Sequence, residues 1–258
     1  MNFFNDVLKA FKAYWKAVRY IEKKRKLHLI FLPAIISILI SIIIVYFSVA
    51  VSYRIYEFVE LNILNTVIRQ QIDDIIKVVL RLFFQGMVLF ILMKVYRYAM
   101  WLLLAPFFLI VADYIYMDHS KVRVSRSIWA YFAMTPVALY LIFRSFFLEL
   151  LVSAILLLLV IILSWVAPLA PFLLLLIDSF FAGIVLVWFH LGPRGGGFRS
   201  LNLFVKNHPG LILGNGLVLN IILLVPLLGV LFAPFFAMVA AGIPLNKEPD
   251  LQQIYKSL

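Results

Sequence analysis

Four long apolar stretches, separated by polar and mostly basic segments, organise the 258-residue chain. The first, residues 29–51, is uncharged and as a helix reaches roughly 35 Å, enough for one tilted bilayer crossing. It is too long, and its charged prelude too extended, for a cleavable signal peptide. The second, residues 82–112, is interrupted only by Lys94 and Arg97. Three residues apart, these cations share a helix face, which predicts that they look into protein or water. The third, residues 128–191, is punctuated by Pro136, Arg144, Glu149, Pro168, Pro171 and Asp178. Proline removes a backbone donor and clashes with the preceding turn, so the Trp165 to Pro171 stretch predicts a tight turn between two antiparallel helices.

The fourth stretch, residues 211–245, is broken by Pro226, Gly229 and Pro234. Its arms, 211–225 and 230–245, each reach roughly 22–24 Å as helix, against a hydrocarbon core about 30 Å thick. Two full crossings do not fit, whereas a re-entrant hairpin entering and leaving by one face does. Such backbone is tolerated at membrane depth only where protein or a water-filled cavity covers it, which points to an oligomer or a pathway.

Ahead of the first crossing, Phe3, Phe4, Val7, Leu8, Phe11, Tyr14, Trp15, Val18 and Ile21 recur at helical spacing. Lys9, Lys12, Lys16, Arg19 and Lys23 form the opposite stripe. This pattern predicts a basic amphipathic helix in the membrane interface, aromatic side down, over residues 1–28.

The polar segments set the orientation. Residues 1–28 carry eight Lys/Arg against Asp6 and Glu22, segment 113–127 carries Lys121, Arg123 and Arg126, and segment 192–209 carries Arg194, Arg199 and Lys206. In the connection 52–81, Arg54, Arg69, Lys77 and Arg81 are offset by Glu57, Glu60, Asp73 and Asp74. The positive-inside bias then places both termini, including the tail 246–258, and the three basic segments in the cytoplasm. The expectation is a single all-α integral membrane domain. It comprises the interfacial helix, two transmembrane helices within 29–112, a helical hairpin over 128–191 and a re-entrant hairpin over 211–245.

Composition narrows the function. Hydrophobic residues make up 65% and charged residues 14%, with a mean hydropathy of +1.07, too little polar surface for a globule in water. Twenty-three Lys+Arg against 12 Asp+Glu leave +11, which in so apolar a chain points to anionic lipid head groups or an anionic solute before nucleic acid. With no cysteine and four scattered histidines (His28, His119, His190, His208), neither metal nor other cofactor is expected. P-loop, dinucleotide, HExxH and Ser-His-Asp patterns are absent, so an enzyme is not expected.

Candidate sites are few. Successive glycine N–H groups in the loop His190 to Phe198 can turn toward one point and cradle an anion, with Arg194 and Arg199 beside them; a flexible basic connector is the alternative. Arg25, Lys26 and His28 sit in the basic turn into the first crossing, where they can gather sulfate or phosphate or anchor lipid head groups. Lys94, Arg97, Asp113, Arg144, Glu149 and Asp178 are charges in or near apolar blocks, which mark either a solute pathway or structural ion pairs. Arg144 and Glu149, five apart, do not face each other on one helix, so their partners lie on other segments. Gly210 and Gly214, with Ala233, Ala237 and Ala241, let helix backbones approach closely.

Several segments together resemble the CysZ sulfate permease family, part of the superfamily of etoposide-induced membrane proteins. They are the N-terminal amphipathic helix, the apolar segment opening Leu-Pro33, the Ala105-Pro-Phe-Phe-Leu-Ile-Val-Ala-Asp113 stretch, Phe181 to His190 with the loop ending at Phe198, and Gly214 to Ala241 with Pro226 and Pro234. Arg25-Lys-Leu-His28 stands where the family carries Gly-Leu-Arg, and Leu191-Gly-Pro193 where it carries Asp-Tyr-Pro. The resemblance implies two long crossing helices plus two hairpins that penetrate partway, in a homo-oligomer. It also implies passive sulfate uptake across the bacterial inner membrane without ATP hydrolysis, with sulfate or a similar oxyanion as partner. Arg25, Lys26, His28, Arg194 and Arg199 are the expected anion-binding residues. A non-transporting scaffold of a larger membrane assembly is the alternative.

Overall fold

The computed structural model describes residues 3–23, 31–59, 74–120, 123–195, 197–225 and 228–245. Among them the regular structure is helical: α1 (Phe3–Lys23), α2 (Phe31–Val59), α3 (Asp74–Ser120), α4 (Ile128–Ile162), α5 (Ala170–Leu191), α6 (Phe198–Asn207), α7 (Pro209–Leu223) and α8 (Leu228–Leu245). Short 3-10 turns at Ser164–Leu169 and Gly192–Arg194 bracket α5.

The proline signals divide by position. Pro171 sits in the first turn of α5 and Pro209 in the first turn of α7, where the missing N–H has no intrahelical partner to lose. Pro106 and Pro136 instead lie inside α3 and α4 without ending them. Ser127 caps α4, its hydroxyl accepting from the Ala130 N–H at 3.3 Å.

Among the described residues, four segments are long and apolar enough to cross a bilayer: Phe31–Ile55, Lys94–Ser120, Ile128–Ile162 and Trp165–Arg194. Helix length thus separates the two hairpins that the resemblance treats alike. Each arm of the α4–α5 hairpin suffices for a full crossing, whereas the apolar arms Pro209–Leu223 and Leu231–Leu245 are shorter.

The chain forms two compact units. One comprises residues 35–100. Within it Lys94 and Arg97 are both buried, as is Ser37, whose hydroxyl lies 3.5 Å from the Met100 sulfur. The Arg97 guanidinium stands over the Tyr98 ring, 5.2 Å from its centroid.

The other unit comprises residues 1–34 and 101–258. Its interior is built on α7, which packs against α1, α5 and α8. Small residues set these contacts. A Cβ at Gly214 would fall 2.7 Å from the Ala10 Cβ on α1, and one at Gly183 on α5 would fall 2.0 Å from the Ile212 carbonyl oxygen on α7. On α1 the buried stripe is Ala10, Ala13, Tyr14, Ala17 and Ile21, while Phe4, Leu8, Phe11 and Trp15 remain exposed. The helix therefore has two apolar faces, one small and turned to protein, the other large and exposed.

Polar contacts fix α1 at two points. Asp6, buried, pairs with Lys9 at 3.2 Å, and His208 Nδ1, at the α6–α7 joint, lies 3.6 Å from Asp6 Oδ2. The Tyr14 hydroxyl donates to the Asn215 carbonyl at 2.7 Å. Burial raises the Tyr14 pKa well above the ordinary phenol value. The folded state thus keeps a proton that the unfolded chain releases above pH ~10, so this contribution is complete below that pH and is lost as pH rises. Tyr14→Phe is expected to cost about 1 kcal/mol near neutral pH and to flatten the loss of stability above pH ~10. Thermal unfolding in detergent at neutral and alkaline pH measures both.

Candidate functional site

The end of α3, the start of α4 and the end of α5 meet in a polar cluster. Asp113, only 1% exposed, projects from α3. Its Oδ2 accepts from Arg126 Nη1 at 2.7 Å and from the Tyr131 hydroxyl at 3.1 Å. The other arm of the Arg126 guanidinium, Nη2, donates to the Pro193 carbonyl. One side chain thereby ties the residues before α4 to both α3 and the loop after α5. Fork geometry suits arginine to this double role.

Arg194 completes the cluster. Its Nη2 donates to the Ala112 carbonyl at 3.3 Å, and its guanidinium lies 3.9 Å from the centroid of the Tyr116 ring. Gly195 follows in the left-handed region, φ +82°, which glycine adopts without a Cβ penalty. Deeper in, the buried His190 ring donates through Nε2 to the Met238 carbonyl at 2.8 Å. Gly242 is required beside it, since a Cβ there would fall 2.6 Å from the His190 ring. Two guanidinium groups against one carboxylate leave the cluster net positive. Arg126 neutralises Asp113 and acts as a clamp, and Arg194 is half-buried at the edge of the cluster.

A second polar line runs through the hairpin α4–α5 and into α7. Ser145, Glu149 and Ser153, four residues apart, are all buried on one face of α4. On α5, which packs against α4, Asp178 and Ser179 are buried. Ser179 Oγ donates to the Leu175 carbonyl at 2.6 Å and accepts from Asn220 Nδ2 of α7 at 3.0 Å.

These positions sort the residues singled out in the sequence. Arg194 joins the cluster, whereas Arg199 is exposed on α6. Glu149 and Asp178 lie buried in the polar line, and Lys94 and Arg97 are buried in the 35–100 unit. Arg144 is exposed, its guanidinium 5.7 Å from the centroid of Phe198 at the start of α6. Arg25, Lys26 and His28 lie outside the described residues, as does Pro226. Arg126, Tyr131, Tyr116, Asn215 and Asn220 carried no site assignment in the sequence. The available signal for Arg126 was its position 13 residues after Asp113, across a helix end.

A family model described as sulfate transporter CysZ/etoposide-induced protein 2.4 matches residues 13–234. The chain belongs to this family. No curated protein matches it. The match takes in the whole Asp113–Arg126–Arg194 cluster and the polar line of α4, α5 and α7, and ends at Pro234 within α8. Membership in this CysZ family, with four helices of crossing length, makes the protein a multi-pass membrane protein of transporter type.

Proposed function

We propose that the protein is a passive conduit for a small oxyanion, sulfate foremost, that admits its solute to the bacterial cytoplasm. It works as a homo-oligomer in the inner membrane, with both termini cytoplasmic and the 211–245 hairpin re-entrant. The family match over residues 13–234 carries this reading. The excess of 23 basic over 12 acidic residues supports an anionic solute, as does the net-positive cluster around Arg194. Arg25, Lys26 and His28 gather the anion, while Arg194 and Arg199 receive it at the loop after α5. Lys94, Arg97, Glu149 and Asp178 belong to the route or to its supporting ion pairs.

The basic stripe and exposed aromatics of α1 hold the protein to anionic head groups. The test is flux. Liposomes containing purified protein are expected to take up labelled sulfate, and joint replacement of Arg25, Lys26 and His28 by glutamine is expected to reduce the initial rate at least fivefold. Folded protein with no uptake above empty liposomes refutes transport, and a heteromeric partner co-purifying from native membranes then favours the scaffold reading.

A further inference from the structure

The side-chain amide of Asn215 is 1% exposed, and neither its Oδ1 nor its Nδ2 has a hydrogen-bond partner among the described residues. Its position on α7 sets it apart from the glycine contacts of that helix. Ile212 and Gly216 meet α5, since a Cβ at Gly216 would lie 1.7 Å from the Ser179 carbonyl oxygen and one at Gly183 would lie 2.0 Å from that of Ile212. Gly210 and Gly214 meet α1, at Phe3 and at Val7 with Ala10. A further stripe of the helix is Leu211, Asn215, Val218 and Ile222 at i, i+4, i+7 and i+11.

Asn215 is thus a primary amide on a stripe of α7 apart from its glycine contacts, with buried Leu211 and Val218 as its stripe neighbours. Every other position of that stripe is aliphatic, and leucine would fill the volume of asparagine without a desolvation cost. An amide with no hydrogen-bond partner among the described residues is costly in an apolar setting and is retained where a polar occupant uses it. Its Nδ2 offers two N–H donors, which suits an acceptor-only oxyanion that must bind and leave.

We propose that Asn215 is a solute-contacting residue of the conduit, its Nδ2 donating to an oxygen of the oxyanion as it passes α7. The proposal rests on the transport reading above. Labelled sulfate uptake is measured against concentration in liposomes holding wild-type protein, Asn215→Leu or Asn215→Asp. For N215L the half-saturation concentration is expected to rise at least tenfold while the thermal midpoint stays equal or rises. N215D keeps the shape but sets a carboxylate against a dianion, and its uptake at low sulfate is expected to fall further. Wild-type half-saturation and rate in either folded variant overturn the assignment, because a purely structural amide would leave both unchanged. Absence of uptake by wild-type protein instead removes the transport reading itself.

Discussion

Gly216→Val is expected to abolish the folded protein rather than weaken it. A Cβ at this position would stand 1.7 Å from the Ser179 carbonyl oxygen, where ordinary contact begins at 3.4 Å, and the obstacle is backbone, which has no rotamer to adopt. One turn away the relation is reversed: a Cβ at Gly183 on α5 would stand 2.0 Å from the Ile212 carbonyl oxygen on α7. The two helices therefore touch through glycine from both sides. Relief requires them to part, and parting breaks the Asn220–Ser179 hydrogen bond and opens the seam along buried Leu219 and Ala182.

Overpacking of side chains costs about 1–3 kcal/mol, and a backbone collision falls at or above the top of that range, on the order of 3 kcal/mol or more. Helix association in lipid leans on close packing, so no hydrophobic gain between the helices offsets the loss. Gly197→Ala is the control, because a Cβ there meets nothing within 4 Å. Size-exclusion profiles and thermal midpoints in detergent decide the matter. A monodisperse G216V with the wild-type midpoint would show that the α5–α7 contact is not as close as described.

Long uninterrupted apolar runs were legible because a helix that crosses lipid must satisfy its own backbone, and hydropathy reports that need directly. Residues 31–51 of the first run lie in α2, and the Trp165 to Pro171 signal falls on the turn between α4 and α5. Pro136 lies inside α4 without ending it, since a proline within a long helix forfeits one hydrogen bond while neighbouring turns carry the element on. The ten-residue α6 was missed because it lies within a short basic segment and buries only Leu201 and Phe204. On α1 the aromatic and basic stripes were visible, but the alanines at 10, 13 and 17 were silent. Alanine contributes little hydrophobicity, and its meaning appears only against the glycines of α7.

The candidate site was less legible for the same kind of reason. The polar contacts join residues far apart in sequence, as with Tyr14 and Asn215 or His208 and Asp6. Periodicity sorts residues onto the faces of one helix and carries no information about which faces meet. Asp113 was recognisable as a charge at an apolar boundary. That Arg126 answers it depends on the path of the chain into α4.

The Asp113–Arg126 pair leads to the other large effect. Arg126→Leu is expected to cost about 3 kcal/mol, because it leaves the Asp113 carboxylate buried with the Tyr131 hydroxyl as its remaining donor and strips the Pro193 carbonyl of its guanidinium. Asp113→Asn is expected to cost less, since the amide oxygen still accepts from both partners while the guanidinium keeps its hold on Pro193. The double replacement Asp113→Leu with Arg126→Leu is expected to be less damaging than R126L alone, because the penalty arises from one charge deprived of the other rather than from the absence of an attractive pair. A cycle of thermal midpoints over the two singles and the double isolates that coupling. If R126L unfolds no earlier than wild type, or the double is simply the sum of the singles, then the clamp joining α3, α4 and the loop after α5 contributes nothing to stability. The closure of that end of the helices would then have to come from the apolar contacts of Phe108 with Phe189 and Phe107 with Phe235.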